Sequence, residues 1–185
     1  MGQDVVSIKL SKPVDEQDHI QGPASAVVTM VEYGDYQCED SGAAYSIVKE
    51  IQHRSGDWLR FVYRHFPLIK VHEHSQNAAE AAEAAGAQGM FWEMHDFLFL
   101  HQTELDDEAL MEYAEEIGLD VDRFERDLSE HACAGHISGH QRSGVRSGVE
   151  HTPAFFINTT QYQGPITVEA MLAAIEVAAS DISEE

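Results

Sequence analysis

The run Ala26-Val27-Val28-Thr29-Met30-Val31 is apolar, β-branched and too short for a helix, so it reads as a buried strand. Gly34 and Asp35 break that pattern. From Cys38 onward, Ala44, Ile47, Val48 and Ile51 recur at spacings of three and four and predict a helix. Ser55-Gly56-Asp57 is a turn. Trp58 to Phe66 then alternates apolar and polar residues as a second strand, stopped by Pro67. Ahead of these, Val5 to Leu10 predicts a short strand, followed by a polar lead-in ending at Gly22-Pro23.

Residues 73–133 have a different texture. Seven alanines within 77–87 predict a tightly packed helix, interrupted at Gln88-Gly89. Phe91, Met94, His95 and Leu98 mark one face of the next. Asp106 is a helix cap before Leu110, Tyr113, Ala114 and Ile117, with Gly118 as the stop. Asp120 caps another helix, carrying Phe124 and Leu128. Strand character returns at Ala154–Asn158 and Gln161–Gly164, a hairpin around Thr159-Thr160. Thr167 caps a last helix with Val168, Met171, Leu172, Ile175 and Ala178 on one face. Strand–helix–strand requires a parallel crossover, and the hairpin adds antiparallel strands. The expected fold is α/β, a mixed sheet with helices on both faces and an inserted all-helical block at about residues 70–140.

A length of 185 residues and 43% hydrophobic content support one core without disulfide or metal staples, so 1–185 is read as a single domain. The 11 Lys+Arg against 33 Asp+Glu give a net charge of −22, which excludes nucleic acid and disfavours an anionic membrane surface. Lysine stands only at 9, 12, 49 and 70, an acid-rich, Lys-poor balance that also occurs in salt-adapted proteins. No apolar run approaches ~18 residues, so no membrane span is expected. The start Met-Gly-Gln-Asp-Val-Val carries no long apolar stretch, and no signal peptide is expected. Two cysteines make no disulfide framework. The expected address is the cytoplasm, where thiols stay reduced.

Cys38 falls where the first core strand hands over to a helix. A thiol in a first helical turn meets unsatisfied N–H groups and the positive end of the helix dipole, which favour thiolate. Position alone is equally compatible with an inert buried cysteine.

Residues 32–42, Glu-Tyr-Gly-Asp-Tyr-Gln-Cys-Glu-Asp-Ser-Gly, resemble the active-site segment of the DsbA-like branch of the thioredoxin superfamily, which usually reads C-x-x-C. Asp18–Pro23 resembles that family's lead-in, and Arg64–Leu68 the end of its second core strand. Gly148–Ile157 resembles its cis-proline loop and the following strand. The likeness runs over roughly residues 18–179 and implies a thioredoxin-like fold, with the helical block where the family carries one. It implies that Cys38 is the attacking thiol. Thr152 and Pro153 would form a cis-Pro loop beside it that pairs with an extended substrate. Glu32 would be an acid beneath the site that relays protons; read without the family, Glu32 is a solvated strand-end acid.

The departure is Ser41, which stands where the family has its second cysteine. A hydroxyl cannot resolve a mixed disulfide or store one. Cys38 then works as a monothiol with glutathione or another external thiol, or Cys133 resolves it from a distance, or only substrate binding remains. Glu39 and Asp40, beside a thiolate, oppose the stabilisation it draws from the helix dipole. At ~6 Å and an intermediate dielectric each costs a thiolate roughly 1 kcal/mol, so Cys38 is expected to be less acidic than its family counterparts. The leading expectation is a thiol–disulfide oxidoreductase acting through one attacking thiol on protein or small-molecule thiols and disulfides. The alternative is a redox-inactive binding or scaffold protein that keeps the groove. No cofactor is expected beyond glutathione as an external thiol.

Cys133, His136 and His140 lie at helical spacing and suit zinc chemically, but Gly135 and Gly139 weaken that helix and no fourth ligand is visible. They are read as a solvated histidine-rich face, and no metal is assigned. His72 and His74 are read as a loop pair, and His65 as a hydrogen-bonded structural residue. Some glutathione transferases share the fold, but their catalytic serine stands at the first cysteine's place, where this chain has Cys38.

Overall fold

Two seven-residue strands form the centre of the sheet. β2 (Val28–Gly34) and β3 (Leu59–His65) run parallel, from Val28 opposite Leu59 to Gly34 opposite His65. α1 (Glu39–Ser55) makes the crossover that parallel pairing needs. The computed structural model describes residues 8–182. β1 (His19–Gln21) pairs antiparallel with the outer edge of β3. β4 (Ala154–Ile157) pairs antiparallel with β2, and β5 (Thr160–Gln161) with β4. The strand order is β1-β3-β2-β4-β5.

Two expectations need correction here. Strand character was expected at Val5–Leu10, and Asp18–Pro23 was read as a polar lead-in. Lys9 makes only an isolated bridge to Thr160, and Val5 to Ser7 lie outside the described residues. The lead-in instead holds β1, a strand made by its partner β3 rather than by its own three residues. The hairpin also turns one residue earlier than expected. Asn158 takes φ 54°, a left-handed turn that asparagine tolerates, and pairing ends at Gln161, before the chain leaves through Gly164-Pro165.

Helices α2 (Ser75–Gly86), α3 (Phe91–Leu100), α4 (Asp107–Glu116), α5 (Val121–Ser129) and α6 (Ala134–Arg146) lie between β3 and β4, and α7 (Val168–Ile182) follows the hairpin. Asp106 and Asp120 cap α4 and α5 by accepting from Ala109 N and Arg123 N, each at 3.0 Å. Met30, Phe61 and Phe155 face one core, which α1, α7 and the α2–α5 block cover. Val31, Val62 and Phe156 face a second, smaller core, which Val149 and the segment around Leu10 and Val14 help to close. α6 lies on that second side, where Tyr33 Oη and Ser143 Oγ are 2.8 Å apart. α6 forms in spite of its glycines. A Cβ at Gly144 would stand 2.7 Å from the Phe66 ring, so the helix seats against β3 only with glycine there.

Arg64 and Asp18 fasten the chain's start to this sheet. Both side chains are fully buried and meet in two parallel hydrogen bonds of 2.8 and 2.9 Å. The remaining guanidinium donors go to Tyr33 Oη and to the carbonyls of Lys12 and Pro13. All five donors are therefore used, the condition under which a buried ion pair is tolerated.

Candidate thiol active site

β2 ends at Gly34, and the turn that follows is built by one carboxylate. Asp35 Oδ1 accepts from Gln37 N at 2.8 Å, closing an Asx turn, and the Asp35 carbonyl accepts from Cys38 N at 3.1 Å. Asp35 Oδ2 accepts from Leu68 N and from His72 Nδ1, each at 2.8 Å. The turn therefore delivers Cys38 to the N-cap of α1 with extended backbone, φ −76° and ψ 121°, and no side-chain cap of its own. Its Sγ lies 3.4 Å from the carbonyl oxygen of Thr152. The Thr152–Pro153 peptide is cis. The cysteine is 8% exposed, and Glu39 and Asp40 stand exposed in the first turn, where their charge complements the helix dipole.

Ser41 is one turn further along and fully buried. Its hydroxyl accepts from Asp35 N at 3.4 Å. Glu32 shares the strand face of Met30, opposite Phe155 on one side and Tyr63 on the other. It is buried rather than solvated, so the reading of its bare sequence context is corrected. Its Oε1 has no hydrogen-bond partner, and burial pushes its pKa up to about 8. The Tyr63 phenol is held well above its ordinary range, first by burial and then by Tyr36, Glu32, Asp35 and Cys38. Tyr63 thus lies within electrostatic reach of both Glu32 and Cys38.

Sequence reasoning missed Asp35 and Gln102. Asp35 carried a visible signal, an acid two residues before Gln37 in a turn. Gln102 carried none. Its amide donates to the carbonyls of Tyr36 and Cys38, at 2.7 and 2.9 Å. It lies over Gly42, where any Cβ would collide with the Gln102 amide. The segment after α3 therefore supports the thiol turn directly.

Cys133 belongs to another region, at the N-cap of α6. Both cysteines are free. Burial, with Glu83, Asp127 and Glu80 nearby, pushes the Cys133 thiol up to about 11. His72 is engaged by Asp35, and His74 sits 3.3 Å from exposed Glu73. His65 donates from Nε2 to Glu83 Oε1 at 2.8 Å. The solvated-face reading fails for His140, which is 1% exposed. Beside the cis-proline, a groove of about 510 Å³ is lined by His151, Pro153, Phe155, Gln161 and Tyr162 among others.

A family model described as Thioredoxin matches residues 14–177. Among curated proteins, the chain is similar to Na(+)/H(+) antiporter NhaA 3 of Salinispora tropica, 46% identical over 171 residues that make up 91% of this chain and 26% of that protein. The chain thus spans about a quarter of the length of the curated relatives it matches. Among the described residues, no helix is long and apolar enough to cross a membrane. A thioredoxin-like oxidoreductase from Silicibacter pomeroyi is 26% identical with a TM-score of 0.80, covering 90% of this chain and 94% of that one. Oxidised BdbD from Bacillus subtilis shares the fold at a TM-score of 0.83 and 19% identity, covering 94% and 98%. Alpha-DsbA1 from Wolbachia pipientis does so at 0.82 and 17%, covering 94% and 97%.

Proposed function

Because the chain belongs to the thioredoxin family, with structural neighbours that are DsbA-type oxidoreductases, we propose that it carries out thiol–disulfide exchange with Cys38 as its one attacking thiol. The observation that carries this reading is the 3.4 Å approach of Cys38 Sγ to the Thr152 carbonyl at the start of α1. A sulfur held there has first-turn N–H groups on one side and a backbone edge for an extended substrate on the other.

The Cys38 thiolate attacks one sulfur of a substrate disulfide and expels the other as a thiolate, leaving a mixed disulfide on Cys38. Ser41 cannot break that bond. An external thiol of the glutathione class attacks it and releases Cys38, and a second such thiol takes up the first as its own disulfide. The net reaction converts one substrate disulfide and two external thiols into two substrate thiols and one external disulfide. The reading requires a compartment rich in reduced thiol, such as the cytoplasm. Buried Glu32 is the proton store beneath the site. It keeps its proton near neutral pH and can exchange it as the thiol ionises.

The test is mass spectrometry of the full chain after oxidised glutathione, with Cys38→Ala alongside. A glutathione adduct on Cys38 that persists until reduced glutathione is added supports the reading. No adduct on a folded wild-type chain overturns it in favour of a binding protein that keeps the groove.

A further inference from the structure

Where β1, β3, α2 and α6 meet, four histidines converge on one acid. Glu83, mostly buried in α2, lies between them. Its Oε2 is 3.0 Å from Nε2 of His19 in β1. Its Oε1 is 2.8 Å from Nε2 of His65 in β3, and 3.5 Å from Nε2 of His136 in α6. His140, one helical turn beyond His136, brings its ring centroid within 4.3 Å of His136 and 5.7 Å of His65. The Nε2 atoms of His136 and His140 have no hydrogen-bond partner, although His140 is almost wholly buried. A core does not ordinarily leave such nitrogens unsatisfied.

We propose that this cluster is a binding site for a divalent transition metal of the zinc class, with Glu83, His19 and His136 as ligands. In that triad one ligand atom from each residue lies within 4.8 Å of the others. Bonds of ~2.1 Å in a tetrahedral site put ligand atoms about 3.4 Å apart, so modest side-chain rotation closes it. Imidazole with a single carboxylate suits zinc, nickel or copper rather than calcium or magnesium. The His19 ring is already aimed: it stacks on Phe91 with centroids 3.4 Å apart and planes 4° apart. A Cβ at Gly86 would come within 3.1 Å of its Cε1, so glycine leaves room for that orientation. His65, bonded to Glu83 Oε1, orients the carboxylate from behind. His19 and His136 are part-exposed, and a cavity of about 460 Å³ borders His136 and His140, giving an ion a path in. The three ligands leave a fourth position for water. The site ties β1, α2 and α6 together and does not depend on the reading of Cys38.

The experiment titrates zinc chloride into the chelator-stripped full chain by calorimetry, and follows cobalt(II) by its visible absorption. The expected result is one ion per chain, a rise in Tm with zinc, and cobalt bands of a tetrahedral nitrogen–oxygen site. His136→Ala, a part-exposed change, and His19→Ala should each weaken binding at least about tenfold. Each should keep the wild-type circular dichroism. Cys38→Ala/Cys133→Ala and His72→Ala/His74→Ala should bind as wild type. Absence of stoichiometric binding by the wild-type chain overturns the proposal. So does binding that survives both His19→Ala and His136→Ala, or that vanishes with the cysteines.

Discussion

Cys38 Sγ and the carbonyl oxygen of Thr152 face each other at 3.4 Å across 114 residues of sequence. One comes from the start of α1 and the other from the loop before β4. α1 follows β2 and that loop leads into β4, the neighbour of β2 in the sheet, so the contact is set by the β2–β4 pairing rather than by any local motif. On the proposed reading, chemistry at this sulfur is limited by its missing partner thiol.

Ser41→Cys supplies that partner. The change replaces one buried atom, so packing should barely alter. The variant is expected to form an internal disulfide with Cys38 and to exchange with a model dithiol faster than wild type, on the order of tenfold or more. A thiol-exchange assay on wild type, Ser41→Cys and Cys38→Ala checks this. A variant that forms the disulfide yet exchanges no faster than Cys38→Ala would show a groove that has lost its function.

Glu32 makes stability depend on pH in an unusual direction. Its folded-state pKa is about 8 against an ordinary 4.5, because burial disfavours the charge. Between those values the folded state binds the extra proton, so the Glu32 contribution falls as pH rises through about 8. Below 4.5 both states carry the proton and the effect vanishes. Glu32→Gln, a neutral isostere, should match wild type near pH 5. At pH ~9 it should be more stable by several kcal/mol. Urea unfolding at the two pH values measures it; equal stabilities at the higher value would remove Glu32 as a buried proton store.

Arg64→Ala leaves Asp18 buried without its cation and frees the carbonyls of Lys12 and Pro13. The expected cost is about 3–5 kcal/mol, read from the midpoint of denaturant unfolding. A paired Arg64→Met/Asp18→Leu replacement should recover most of it, since neither charge is then stranded.

Gln102→Ala removes the donors that hold the Tyr36 and Cys38 carbonyls, and should cost about 1–3 kcal/mol. Gly42→Ala should cost a similar amount by pushing the same amide away. Combined, the two should cost clearly less than their sum, because alanine at 42 fits once Gln102 is gone. A double-mutant cycle reads the difference; strict additivity would mean that the two residues act separately.

The central strands, α1 and the capped helices were legible because each announces itself locally. β-branched runs, apolar spacing and Asp106 or Asp120 at a helix start are properties of a few adjacent residues. β1 was not legible, because three residues starting with His19 become a strand only through Tyr63, Val62 and Phe61 opposite. α6 was undervalued, since the two glycines that weaken it locally say nothing of how Gly144 seats it on Phe66. Cys38 and Thr152 were legible through resemblance. Gln102 and the histidines around Glu83 were not, since their partners come from separate elements and no spacing records the meeting.

The amide of Gln102 lying over Gly42 has a consequence for transplanting this centre between proteins. A chimera that moves only residues 35–42 onto a plain sheet-and-helix scaffold would carry the sulfur without its brace. The smallest portable unit joins the Cys38 turn, the end of α3 and the Thr152 loop, three segments that must be inherited or engineered together.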